Sequence, residues 1–138
     1  MASLEKELEN GLLGLMSPIN GINLYNSERK ENRIVPYLSI KVSIDSELLG
    51  VFTGVFKCVG NFQYVQKADG ISRTDFDSKF QEIVNQLYQD PPVTQTLTST
   101  TNVTVYDLKI NQNQPSINSM KRHWENSIDM EIIATFSK

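Results

Sequence analysis

Reactive side chains are scarce in this sequence, whose 138 residues include one histidine and one cysteine. The lone Cys58 excludes an intramolecular disulfide and, with it, a disulfide-stapled scaffold. One His and one Cys fall short of the usual zinc ligand set, and no Asp-x-Asp-x-Asn-Gly calcium loop is present. Glycine is thin too: Gly50, Gly54 and Gly60 are scattered along strand patterns, not clustered ahead of a helix. Neither a Walker loop nor a dinucleotide-binding turn can be built from them. No apolar run approaches the roughly 18 residues of a membrane helix, so no membrane partner is expected. The opening MASLEKELENGLLGLMSP places acids ahead of its apolar run, where a secretion signal would want positive charge. Concentrated basic runs are also missing, and the formal charge is −3. General affinity for nucleic acid needs a basic face that neutralises several phosphates, and nothing here supplies one.

What is present is the pattern of a soluble domain. Hydrophobic residues make up 39% and charged residues 21%, which argues against disorder and for one domain, residues 1–138, with a single core. Leu4, Leu8, Leu12 and Leu15 share a helical face, Ser3 is a fitting N-cap, and Ser17-Pro18 ends the helix. Gly11 and Gly14 weaken it by about 1 kcal/mol each. A short strand over Gly21–Tyr25 and a polar loop from Asn26 to Arg33 follow. Val35-Pro36 then opens a strand with Leu38, Ile40, Val42 and Ile44 on one face. From Val51 to Gln66 a longer strand carries Phe52, Phe56, Cys58, Phe62 and Tyr64 opposite Val51, Val55, Val59 and Val65, so it reads as central and covered on both sides. Ser72 or Thr74 caps an amphipathic helix through Phe76, Phe80, Ile83, Val84, Leu87 and Tyr88, and Asp90-Pro91-Pro92 stops it.

A linker to Thr101 leads into a strand over Asn102–Ile110, with Val103 and Val105 opposite Tyr106, Leu108 and Ile110. The Asn- and Gln-rich excursion Asn111–Ser119 turns the chain into a final strand. There Trp124, Ile128, Met130, Ile132, Ala134 and Phe136 alternate with mostly polar residues, interrupted by Asn126. The expected fold is α+β, a mainly antiparallel sheet in the order α-(β)-β-β-α-β-β with two helices packed against it. Its core includes Leu38, Ile40, Val42, Phe56, Phe62, Tyr106, Ile128, Met130 and Ile132.

The search for chemistry returns little. His123 follows Lys121 and Arg122, cations that disfavour its protonated form and supply no orienting carboxylate. Cys58 reads as a small buried hydrophobe. Asp69-Gly70 is a turn, Asp75 and Asp77 suit a helix N-terminus, and Asp129 and Glu131 read as a solvated strand face, not an acid–base pair. No catalytic residue, cofactor site or metal site is assigned, and no enzymatic activity is expected.

The Leu-rich first helix, the strand Val35-Pro36-Tyr37-Leu38, and the long aromatic strand running into the Phe76–Tyr88 helix form a recurring layout. With the hairpin that ends in Arg122-His123-Trp124-Glu125 and an alternating strand, the chain resembles the phage tail terminator (tail completion) family over nearly its whole length. The resemblance implies an α+β structural protein that forms a homohexameric ring, stops polymerisation of the tail tube and docks the head-side connector. It further implies self, tail tube protein and connector or neck protein as partners, genome DNA passing through without specific binding, and a virion location after synthesis in the host cytoplasm. The family has no catalytic motif to carry over. As subunit or tube contacts, loop charge selects Arg29, Lys30, Arg33, Lys67 and Asp69. Two other readings stay open, another phage neck or head-completion protein and a small α+β ligand- or peptide-binding module.

Overall fold

A computed structural model describes residues 3–26, 35–48, 54–68, 72–88, 93–112, 116–118 and 122–136. The fold is α+β, with helices α1 (Leu4–Met16), α2 (Arg73–Gln86) and α3 (Val93–Thr100) among the described residues. The strands are β1 (Asn23–Tyr25), β2 (Tyr37–Glu47), β3 (Val55–Lys67), β4 (Val103–Gln112), β5 (Ser116–Asn118) and β6 (His123–Phe136). They form one mixed sheet in the order β1-β2-β3-β6-β4, with β5 pairing β6. Only β1 and β2 run parallel; every other pair is antiparallel.

Period-two patterning sets the two faces. Leu38, Ile40 and Val42 of β2, Cys58, Phe62 and Tyr64 of β3, and Ile128, Met130, Ile132 and Ala134 of β6 are buried in one cluster. That cluster also holds Leu4, Leu8, Leu12, Leu15 and Met16 of α1, Phe76, Phe80, Ile83 and Val84 of α2, and Val93 and Leu97 of α3. All three helices therefore cover the same face. Each large side chain so buried contributes about 1.5–3 kcal/mol. Gly60, at the middle of β3, leaves room for its cross-strand neighbour, since a Cβ would stand 3.0 Å from the Met130 methyl.

Both expected caps form. The Lys6 amide donates to Ser3 Oγ and the Asp75 amide to Ser72 Oγ, which satisfies one orphan donor at each helix start.

The expected element order differs in one helix and one strand. The stretch assigned to a linker is α3, and the excursion after β4 contains β5. Sequence pattern misses α3 because Thr94, Thr96, Thr98 and Thr100 disfavour a helix interior. In the structure two of these hydroxyls turn back to the helix: Thr98 donates to the Thr94 carbonyl and Thr100 to that of Thr96. Val93 and Leu97, four apart, supply its buried face.

Tyr106 is not in the core; it is 59% exposed. A register shift between Val105 and Asp107 makes it an extra residue on β4. The bulge lets Val105 face Ala134 and then Leu108 face Ile132, so the apolar side of β4 is kept while Tyr106 is turned out. Phe56 is half-buried against the core rather than inside it. The outward face of β3 is covered for part of its length, open at Val59, which is 43% exposed, and closed at Val65, which is 2% exposed. Ile44, Tyr88 and Phe136 also lie outside, beyond the reach of the helix layer.

Candidate functional site

The helix-free face of the sheet is where polar side chains gather. Read across the register, one row holds Lys41, Asn61, Asp129 and Asn111, the next Ser43, Val59, Glu131 and Lys109. Alternation places these residues outward because their neighbours on each strand are the buried ones. Asp129 accepts from Asn61 Nδ2 at 2.8 Å, and Glu131 lies 3.6 Å from Lys57 Nζ. Both carboxylates are thus held by neighbours on a solvated face, an arrangement worth little in stability when exposed. They are not paired with each other as an acid and a base would be.

Cys58 and His123 cannot act together. Cys58 pairs with Ile132, whereas His123 pairs with Lys67, nine residues along β3, a separation of roughly 30 Å at the strand rise. Burial, and secondarily the Glu5 carboxylate, pushes the Cys58 thiol up to about 11, so it stays protonated at neutral pH. Burial likewise raises the Tyr64 phenol above its ordinary value, while its hydrogen bond with Gln66 acts in the other direction. Among the described residues no group of three or more His, Cys, Asp and Glu stands close enough to hold a metal ion.

Of the contact residues selected from sequence, Arg29, Lys30, Arg33 and Asp69 lie outside the described residues. Lys67 is exposed at the end of β3. The fold sets it beside His123 in register, and the next amide, Ala68, donates to the Arg122 carbonyl at 2.8 Å. Three basic residues from segments far apart in sequence therefore meet at one end of the sheet. In the sequence Lys67 stands far from Arg122 and His123; the antiparallel β3–β6 pairing joins them.

Both lateral edges of the sheet receive side chains from the helices. At the β2 edge Glu9, buried on α1, accepts the Val42 amide at 3.0 Å. On β4, Thr98 of α3 accepts the Val105 amide at 3.0 Å. Two more β4 amides find acceptors locally, Val103 from Thr101 Oγ1 and Leu108 from Asp107 Oδ1. Nothing in the sequence marks Glu9, because a glutamate on an amphipathic helix ordinarily points to water.

The concave features are modest. A cleft of about 310 Å³ runs between α1 and α3, lined by Glu7, Asn10, Gly14, Thr96 and Thr100. Another of about 280 Å³ lies beside β2 between Lys41 and the first turns of α1. A third, about 230 Å³, opens on the helix-free face between Lys57 and Lys109. These sit at or below the small end of ligand pockets, roughly 300–1,000 Å³. No helix among the described residues is long and apolar enough to cross a membrane. Comparison with models of known protein families and with curated proteins finds no match to the sequence.

Proposed function

We propose that this chain is a non-catalytic structural protein of a phage virion, a tail terminator. In this reading it closes into a homomeric ring, hexameric by the resemblance, ends growth of the tail tube and offers the docking face for the head-side connector or neck. The observation that carries the reading is a two-layer α+β domain whose few chemically capable groups are engaged structurally. Cys58 is sealed in the core and remote from His123, while Asp129 and Glu131 are held by Asn61 and Lys57. What the surface presents is a sheet face with polar side chains of both signs, suited to docking other proteins.

Arg29, Lys30, Arg33, Lys67 and Asp69 are the proposed subunit or tube contacts, with Arg122 and His123 added beside Lys67 by the fold. The net charge of −3 suits a ring through which the genome passes without being held. Its place would be the virion neck, after synthesis in the host cytoplasm.

The test is to add purified protein to polymerising tail tube protein and image the products. Capped tubes of limited length, with a ring at one end, are expected. A monomer that leaves tube length unchanged would overturn the proposal. If that monomer retained a small molecule in native mass spectrometry, the binding-module reading would replace it.

A further inference from the structure

The edge strand β2 is only partly covered. Its neighbour β1 pairs with Tyr37, Leu38 and Ser39 and ends there. Beyond Ser39 the outer side of β2 has no strand partner among the described residues. The acceptor that Glu9 supplies to Val42 shows which way that amide points, away from β3. Every second residue of a strand aims its backbone groups to the same side, so Ile44 presents its own N–H and carbonyl outward as well. Ile44 is also 40% exposed, an apolar side chain on an open edge. The 280 Å³ cleft lined by Lys6, Glu9, Lys41, Val42 and Ser43 runs beside this same stretch.

The residues here read Lys41-Val42-Ser43-Ile44-Asp45, with Lys41 and Asp45 both exposed and symmetric about Ser43. We propose that the open length of β2 is a self-association edge, on which a second copy of this chain lays its own β2 antiparallel about a two-fold axis at Ser43.

That register sets Val42 opposite the partner copy's Ile44, and both residues aim their backbone groups at the seam, as a hydrogen-bonded antiparallel pair requires. Lys41 of each copy then faces the other copy's Asp45, so two opposite-charge cross-strand pairs flank the axis. Asp45 lies at the β2 bulge, where the register shifts between Ile44 and Ser46. In the isolated chain Glu9 holds the Val42 amide, and pairing exchanges that acceptor for a carbonyl of the second copy. The contact is isologous, whereas ring closure needs a heterologous one; it joins two subunits, or two rings, and does not rest on the tail terminator reading.

Charge swapping tests it, with mass measured by light scattering across a concentration series. The wild-type chain is expected to double its mass as concentration rises, as a dimer of subunits or of rings. Lys41→Asp and Asp45→Lys should each weaken that step about tenfold, because each sets like charges across both symmetry-related positions. The double variant restores opposite charges and should restore association to within a few-fold of wild type. Both residues are exposed, so circular dichroism and melting should be unchanged in all three variants. Failure of the wild type to double, indifference to the single reversals, or a double variant no better than the singles would each overturn the proposal. A ring that forms normally in every variant but never pairs would overturn it while leaving the ring reading intact.

Discussion

Tyr64 of β3 and Phe76 of α2 stack at 5.0 Å between ring centroids and 14° between planes. Phe76 also lies 6.0 Å from the ring of Trp124 on β6, so one helix residue joins the two central strands through aromatic contacts. Phe76 is completely buried. Phe76→Ala should therefore cost about 3–5 kcal/mol, the transfer loss plus the cavity. Phe80→Ala, one turn on and nearly as buried, belongs to the same range. Chemical denaturation measures both, and a loss under about 1 kcal/mol at either would mean that α2 does not dock through this face.

Two glycines of α1 should respond to alanine with opposite signs. At Gly14 a new Cβ meets nothing within 4 Å, so Gly14→Ala should stabilise by up to about 1 kcal/mol through helix propensity. At Gly11 the Cβ would stand 2.6 Å from Thr101 Cγ2 and 2.9 Å from Leu97 Cδ2. Thr101 has little freedom to retreat, because its hydroxyl donates to the Leu97 carbonyl at 2.6 Å. Gly11→Ala should destabilise by about 1–3 kcal/mol, as overpacked sites do. Melting temperatures that moved in the same direction for both variants would contradict the α1–α3 contact.

Removing the acceptor on α1 tests the edge cap. Glu9→Ala leaves the Val42 amide without the carboxylate it donates to, at a cost of about 1–3 kcal/mol. Glu9→Gln keeps an oxygen at that point and should recover most of the loss. Faster hydrogen exchange at Val42 in the alanine variant alone would be the direct signature.

Alkali should weaken the fold through two buried groups. The Cys58 thiol moves from an ordinary 9.0 to about 11 on folding, so the folded chain holds its proton where the unfolded chain has lost it. Stability is then full below about pH 9 and falls as pH rises towards 11. Tyr64 is shifted in the same direction from 10.0 and adds to the decline above that value. Denaturation midpoints measured from pH 8 to pH 11 should fall more steeply in wild type than in Cys58→Ala. At neutral pH a thiol reagent should label Cys58 only as fast as the protein opens.

Much of this fold is legible in the sequence because period two and period 3.6 are strong signals. Leu38, Ile40 and Val42, the β6 alternation from Ile128 to Ala134, and the Phe76–Leu87 face all lie where pattern places them. The sequence is silent where one interaction overrides pattern. Threonine-rich α3 forms because Val93 and Leu97 dock into the core, while the Thr98 and Thr100 hydroxyls find acceptors within the helix. Tyr106 is expelled by a one-residue bulge that no alternation rule can locate. The meeting of Lys67 with Arg122 and His123 depends on strand pairing, so no local reading of charge clusters reveals it. Glu9 is the hardest case, a buried carboxylate that accepts an amide more than thirty residues away.

The two edges of the sheet engage their outward amides to different extents. On β4 the amides of Val103, Val105 and Leu108 are each held by a side chain of the same molecule. On β2 the Val42 amide is held in this way by Glu9. A strand whose donors are already engaged is a poor template along Val103–Leu108, so strand addition is steered towards the β2 side, and a fibre, which needs both edges, is disfavoured.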